Sequence, residues 1–171
     1  MGVGTVEDLR AMIEADGDCK LPAESYEFYI TANSAAWEKK PALVGTGHCV
    51  PLVQEAAGAP VTSMWLKGPK VKGNSKIPEG TVIATFSKAD KYENAATGNH
   101  AALFLSVSEK GILVVDQWKA KEPAKPSRRI LKFKGGSGSA SNDGDQFSVV
   151  VTKKVITAAS KQGTGWFSKV T

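Results

Sequence analysis

Five short runs of β-branched, aromatic and other apolar residues dominate the second half of the chain. Each run is bounded by Gly, Pro, Asn, Asp or Ser, the residues that favour turns, so each predicts a β-strand. Short turns such as Ser108–Gly111 join neighbouring runs, which favours antiparallel pairing. The predicted strands are Thr81–Phe86, Asn99–Val107, Ile112–Trp118, Arg129–Phe133 and Phe147–Val151.

Helical spacing of apolar residues marks the first half instead. A stripe through residues 5–16 follows a weak capping box at Thr5, and Gly17 closes it, which predicts a short helix. Residues 22–40 are ambiguous, because Pro22 resembles a helix start whereas Ser25–Ile30 alternates like a strand. We interpret this segment as a helix that ends near Asn33. Helices followed by antiparallel strands predict an α+β fold with about five strands.

Length and composition favour one domain over the whole chain, residues 1–171. The 171 residues, 42% of them hydrophobic and 23% charged, suffice for one core and resemble an ordinary globular protein. We expect the domain core at about residues 43–151, an N-terminal helical segment at 1–42 and a C-terminal tail of unknown role at 152–171. The loop Gly135–Asp145 is rich in Gly and Ser and is predicted to be mobile.

The cellular location follows from what the sequence lacks. The N-terminus has neither a basic region nor an apolar stretch typical of a signal peptide, and no run approaches the ~20 apolar residues that span a bilayer. We therefore expect synthesis in the cytoplasm without membrane insertion. The net charge of +5 is too small to indicate an anionic partner by itself. Basic segments at 67–76 and 119–134 lack interleaved aromatic residues, so no nucleic acid partner is expected.

Cys49 stands just ahead of Pro51 and a helical stripe that Gly58 ends. Pro is favoured in a first helical turn, so Cys49 is predicted to lie at the positive end of a helix. That position stabilises a thiolate and supplies free backbone N–H groups for an oxyanion. Cys49 is therefore the candidate nucleophile.

His100 and Asp116 are the candidate partners of this thiol. His100 opens a strand after a loop, where a helix N-terminus can approach it, whereas the adjacent His48 points elsewhere. With a turn centred near residue 109, Asp116 lies opposite about position 102, on the same face as His100. We expect His100 to act as the general base and acid, and Asp116 to orient it.

Three alternatives use the same residues differently. A disulfide between Cys19 and Cys49 would remove the nucleophile and make the chain a stapled secreted domain. Cys19, Cys49, His48 and His100 could supply four zinc ligands, but their spacing contains no metal-binding pair, and we expect neither metal nor cofactor. Cys49 could also be a small core residue in a catalytically inactive domain that binds cell wall or a protein.

The order of helix-start Cys, strand-start His and next-strand polar residue resembles papain-like amidases of the NlpC and CHAP type. More narrowly, five segments resemble the second family of type VI secretion amidase effectors, over roughly residues 43–151. They are Gly47–Gln54, Gly80–Phe86, Gly98–Phe104, Gly111–Trp118 and Ser141–Val149.

The resemblance implies a papain-like fold and an antibacterial enzyme of peptidoglycan. Such an effector is exported by type VI secretion into a rival's periplasm, where it hydrolyses an amide bond of wall peptides. The bond that the resemblance implies is the D-alanyl–diaminopimelate cross-link. A cognate immunity protein blocks it in the producer. Cys49 corresponds to the nucleophile, His100 to the base and Asp116 to the third residue. Relatives also occur as domesticated eukaryotic antibacterial amidases, so that origin stays open.

Overall fold

A single antiparallel sheet forms the centre of the molecule in the computed structural model, which describes residues 2–155. The sheet contains eight strands in the order β1-β2-β8-β4-β5-β6-β7, and β3 pairs with β8. The strands are β1 (Gly2–Val3), β2 (Tyr26–Ile30), β3 (Leu66–Lys70), β4 (Val82–Thr85), β5 (Ala101–Val107), β6 (Gly111–Asp116), β7 (Ser127–Lys132) and β8 (Phe147–Lys153).

Three helices complete the described part of the chain: α1 (Val6–Ala15), α2 (Ser34–Glu38) and α3 (Cys49–Ala57). Helix α1 begins as the capping residue predicts, with the Thr5 side chain accepting a hydrogen bond from the N–H of Asp8. Helix α3 ends at Gly58, which adopts φ 72°. Within residues 2–155, no helix is long and apolar enough to cross a membrane.

Helices cover both faces of the sheet, which divides the apolar interior into two clusters. Buried residues of α3, such as Leu52 and Val53, pack with Leu103 on one face. Leu9 and Met12 of α1 pack on the other face. The central strands are therefore buried on both sides, so β4 has three consecutive apolar residues, Val82, Ile83 and Ala84, without polar alternation.

The α+β fold is as predicted, but the sheet has eight strands where the sequence predicted five. The prediction of a helix ending near Asn33 is wrong, because Tyr26–Ile30 forms strand β2 between β1 and β8. The only α-helix within residues 22–40 is the short α2, which begins after the Asn33 cap. Strand β3 overlaps the basic segment at 67–76, where the sequence predicted no strand. The predicted tail begins inside β8, and residues 156–171 lie outside the described residues.

A register irregularity interrupts the pairing of β5 with β6. Ser106 and Val107 lie opposite Leu113 and Ile112, whereas Phe104 lies opposite Val114, so one residue, Leu105, is extra on β5. This is the geometry of a β-bulge. The pairing on the far side of the bulge runs toward the end of the hairpin that carries Asp116.

Candidate active site

Cys49 is the first residue of α3, as the sequence predicts. The residue before it, His48, caps the helix without a side-chain hydrogen bond to it. The first N–H groups of an α-helix have no partner inside the helix, and they form its positive end. The N–H groups of Cys49 and Val50 therefore face outward beside the thiol, where they suit a negatively charged oxygen.

The loop before Cys49 is fixed by the buried side chain of Gln117. Its amide nitrogen donates to the carbonyl oxygens of Val44 at 2.8 Å and His48 at 2.7 Å, and its oxygen accepts from the N–H of Val44 at 2.8 Å. Gly47 completes the turn with φ 89°, a conformation that side chains disfavour. Gln117 thus ties the start of α3 to the end of β6.

Sequence reasoning missed Gln117, although a signal was present. A primary amide directly after an apolar strand has four hydrogen bonds to satisfy when it is buried, so it must bind neighbouring backbone groups.

His100 and Asp116 meet in the interior beside this helix. Nε2 of His100 lies 2.7 Å from Oδ2 of Asp116, and both residues are buried. Leu103 lies opposite Val115, and continuing that register puts Asp116 opposite Ala102, as the sequence argument expected. The thiol of Cys49 is close enough to the same imidazole for each group to shift the pKa of the other: the imidazole lowers the pKa of the thiol, and the thiol raises the pKa of the imidazole. Since Nε2 contacts Asp116, Nδ1 is the ring nitrogen left to exchange a proton with the thiol.

Two cations complete the surroundings of Asp116. The ammonium of Lys121 donates to Oδ1 at 2.7 Å and to the backbone oxygen of Asp116 at 2.9 Å. Nε of Arg129 donates to Oδ2, also at 2.7 Å. A carboxylate buried without partners would be very costly, so these donors explain how it exists inside an apolar strand. Neither cation was predicted as a site residue.

The charges of this cluster shift three pKa values in directions that favour an ion pair. Burial raises the pKa of Asp116, but His100, Arg129 and Lys121 outweigh it and keep that pKa well below its ordinary value. Burial lowers the pKa of His100, whereas the bonds to Asp116 and Cys49 raise it, and the net shift is upward. Burial raises the pKa of the Cys49 thiol, but the effect of His100 in lowering it is larger, so the net shift is downward.

Tyr92 is a second group on the thiol that sequence reasoning missed. Its hydroxyl lies 3.6 Å from Sγ of Cys49, and its ring packs on Trp65 with centroids 4.8 Å apart. Burial and the neighbouring sulfur both raise the pKa of Tyr92, so its hydroxyl stays protonated and can donate. The backbone of Ala101 also lowers the pKa of Cys49. Tyr92 stands in a polar loop without periodicity, so no pattern marked it.

An open cleft gives solvent access to the thiol. Its volume is about 430 Å³, and its lining includes loop residues 95–99 and the segment around Ser141. The remaining lining residues are His48, Cys49, His100, Trp118, Arg129 and Asn142. The three predicted site residues thus form one chain of contacts, of which Cys49 and His100 open into the cleft while Asp116 lies behind them.

Comparison with known proteins gives the family. The family model described as domesticated amidase effector 2 matches residues 23–150, three quarters of the chain. The chain belongs to this amidase effector family. It is therefore a member of an amidase class of hydrolases, and the resemblance to the second family of type VI secretion amidase effectors is confirmed.

Bacterial and animal proteins are both similar to this family member. A type VI secretion amidase effector 2 protein of Salmonella typhi is 41% identical over 118 residues, which span 68% of this chain and 86% of that protein. Domesticated amidase effector 2 of Ixodes scapularis is 40% identical over 108 residues, 60% of this chain and 70% of that protein. A solved type 6 secretion amidase effector 2 structure superposes with a TM-score of 0.64 at 33% identity, covering 74% of this chain and 96% of that one.

Two of the alternatives considered from the sequence, the disulfide and the zinc site, do not occur in the described residues of this amidase family member. Cys19 and Cys49 are both free thiols, so the disulfide alternative is wrong. Within residues 2–155, no group of three or more His, Cys, Asp or Glu side chains is arranged to hold a metal ion. His48 lines the cleft, but His100 is the histidine that lowers the pKa of the thiol.

Proposed function

We propose that this chain is a cysteine amidase that hydrolyses an amide bond of peptidoglycan peptides. The observation that supports this most directly is the contact chain from the Cys49 thiol through His100 to the buried Asp116, at the floor of an open cleft. The D-alanyl–diaminopimelate cross-link is the expected bond, from the resemblance to the second effector family.

The first step is activation of the thiol. His100 takes the proton of Cys49 at Nδ1, and Asp116 holds the imidazole in the required tautomer through Nε2. The resulting imidazolium and thiolate stabilise each other, and the hydroxyl of Tyr92 donates a hydrogen bond to the sulfur. A thiolate is the nucleophilic form of cysteine, so this arrangement supplies it near neutral pH.

The thiolate then attacks the carbonyl carbon of the peptide. The negative charge that develops on the carbonyl oxygen lies near the start of α3, where the N–H groups of Cys49 and Val50 donate to it. The imidazolium of His100 protonates the leaving amine, which breaks the C–N bond and leaves a thioester. Water, deprotonated by His100, attacks the thioester and releases the carboxylic acid.

The biological role we propose is that of an antibacterial effector. The Salmonella typhi relative carries a name that includes type VI secretion, which supports export by that route into the periplasm of a target cell. An enzyme that attacks the cell wall endangers its producer, so a cognate immunity protein is expected to cover the cleft. The Ixodes scapularis relative is named as domesticated, and the same chemistry would then serve an animal as an antibacterial factor.

Digestion of a purified sacculus tests the activity and the bond together. The protein should convert cross-linked muropeptide dimers to monomers, and mass spectrometry of the products shows whether the D-alanyl–diaminopimelate bond is cut. Cys49→Ala should abolish conversion, whereas Cys19→Ala, the matched change at the other free thiol, should not. Full activity of Cys49→Ala would refute the mechanism. Binding of muropeptides without conversion by the wild type would instead indicate an inactive wall-binding domain.

A further inference from the structure

Arg129 places a fixed positive charge beside the reacting groups. It lines the same cleft as Cys49 and His100, and its side chain is 24% exposed. The guanidinium lies over the Trp118 ring, 4.9 Å from the ring centroid, and Trp118 also lines the cleft. Arg129 is thus the cation of this cluster that a bound molecule can touch.

The charges around Asp116 leave one positive charge in excess. Among the described residues, Asp116 is the carboxylate that forms ion pairs with both Lys121 and Arg129, one on each oxygen. The Cys49 and His100 pair is neutral overall, as thiol and imidazole or as thiolate and imidazolium. Lys121 is only 5% exposed and cannot meet a ligand, so the excess charge is available to the cleft at Arg129.

The guanidinium of Arg129 is oriented before any ligand binds. Nε donates to Asp116, Nη1 donates to Oδ1 of Asn142 at 2.9 Å, and Nη2 lies 3.5 Å from the carbonyl oxygen of Ser141. Guanidinium carries five N–H groups, so both Nη atoms keep an N–H beyond these contacts. A fork held in this way loses little freedom on binding and matches the two oxygens of a carboxylate.

We propose that Arg129 binds a carboxylate of the substrate that lies next to the scissile amide. The inference rests on the proposed function, since wall peptides carry free carboxylates beside their amide bonds. Oδ2 of Asp116 binds both His100 and Arg129, so a carboxylate on the guanidinium lies close to the amide that His100 serves. Arg129 therefore selects peptides whose neighbouring carboxyl group is free over those in which it is amidated.

Binding to the inactive Cys49→Ala protein tests this without requiring turnover. Two synthetic wall peptides are compared by calorimetry, identical except that the carboxylate beside the scissile amide is a carboxamide in one. The carboxylate peptide should bind roughly 10- to 100-fold more tightly, the range for a hydrogen bond to a charged group. Arg129→Gln in the same background should bring the ratio near one. Arg129→Lys should give an intermediate ratio, because an ammonium keeps the charge but loses the fork.

Arg128→Gln is the matched control. Arg128 precedes Arg129 on β7, but it is exposed and pairs with Glu38 at 2.7 Å, so the change removes the same charge outside the cleft. This control should keep the preference of the parent protein. Equal binding of the two peptides, an unchanged ratio in both Arg129 variants, or the same loss in Arg128→Gln would overturn the proposal.

The outcomes also separate this inference from the proposed function. A carboxylate preference that depends on Arg129, found in a protein whose wild type cleaves nothing, would refute the amidase and leave the carboxylate site standing. Cleavage by the wild type, with a carboxylate preference that survives Arg129→Gln, would support the amidase and refute the carboxylate site at Arg129.

Discussion

Oδ2 of Asp116 lies 2.7 Å from Nε2 of His100, and the carboxylate is fully buried. Asp116→Asn keeps the shape of this contact but replaces the charge with an amide that can bind the wrong imidazole tautomer. We expect kcat to fall roughly 10²- to 10⁴-fold, as for the loss of an orienting carboxylate or of acid–base catalysis.

Folding must be measured beside that activity. The substitution leaves two buried or half-buried cations, Lys121 and Arg129, without an anion, which costs about 3–5 kcal/mol when one partner of a buried pair is removed. Urea unfolding at pH 7 quantifies this loss. Activity that falls in a variant still folded under assay conditions supports the orienting role, and near wild-type kcat would contradict it.

The pH dependence of Cys49 alkylation should show a plateau bounded by two titrations. The pKa of the thiol is lowered and that of His100 is raised, so the ion pair exists between the two apparent values. Thiolate reactivity should therefore appear at a pH below the usual range for cysteine. The alkylation rate should change a second time above the ordinary pKa of histidine, where His100 loses its proton. Rates of iodoacetamide modification between pH 3 and 10 measure this. His100→Ala should return the profile to one titration at or above the ordinary thiol value.

The same histidine gives stability a defined pH dependence. A pKa raised by folding contributes stability at a pH below the unfolded value, and that contribution is lost as pH rises through the folded value. The coupled thiol acts in the opposite direction, because its lowered pKa contributes stability above its folded value. Cys49→Ala removes the thiol term together with the part of the upward His100 shift that Cys49 causes, so any fall in stability with rising pH that remains in that variant comes from the contact of His100 with Asp116.

Removing the hydroxyl of Tyr92 should raise the pKa of Cys49. Tyr92→Phe keeps the ring on Trp65 but deletes the hydrogen bond to the sulfur. A hydrogen bond to a charged group stabilises the charged form, so without it the thiolate titration should move to higher pH. Tyr29→Phe is the control, since its hydroxyl binds Thr152 instead. An unchanged alkylation profile in Tyr92→Phe would show that the 3.6 Å contact does not support the thiolate.

Gln117→Glu should disturb the start of α3 without changing the size of the side chain. The amide nitrogen that donates to the carbonyl oxygens of Val44 and His48 becomes an oxygen, so ionised Glu would repel both. We expect a loss of about 2–4 kcal/mol at pH 7 from unpaired buried groups, with partial recovery in acid as the carboxyl becomes a donor. Unfolding curves at pH 5 and pH 7 measure this. Equal stability of Gln117→Glu and wild type at pH 7 would contradict the role.

The places of the three candidate residues in the fold were easier to predict from the sequence than the edges of the sheet. Cys49, His100 and Asp116 have unusual local positions, namely a helix start, a strand start and an apolar strand. Gln117, Tyr92 and the two cations are held by contacts between distant segments, which no local pattern records. Chemistry that requires rare residue types in rare positions is visible in one sequence, whereas the groups that support it are not.

Tertiary contacts give two segments structure that local signals did not indicate. Gly68 and Pro69 resemble loop residues, yet β3 needs Gly68 because a Cβ there would lie 2.6 Å from the carbonyl oxygen of Val149 on β8. The Gly- and Ser-rich loop predicted to be mobile is anchored by buried Asp143. Its carboxylate accepts from the N–H groups of Lys134, Gly136 and Asp145, and although its burial opposes ionisation, these bonds lower its pKa to about 2.

The extra residue at Leu105 shifts the register of β5 against β6 by one position between the two ends of the hairpin. If Leu105 were paired in a regular ladder instead, the register set by Ser106 and Leu113 would place Asp116 opposite Leu103, whose side chain faces α3. The carboxylate would then leave the face of the sheet that His100 occupies. The bulge therefore sets the phase between the hairpin tip and residue 116. Related chains can therefore gain or lose residues at the hairpin tip, provided a compensating change in the ladder restores the phase between β5 and β6 at residue 116.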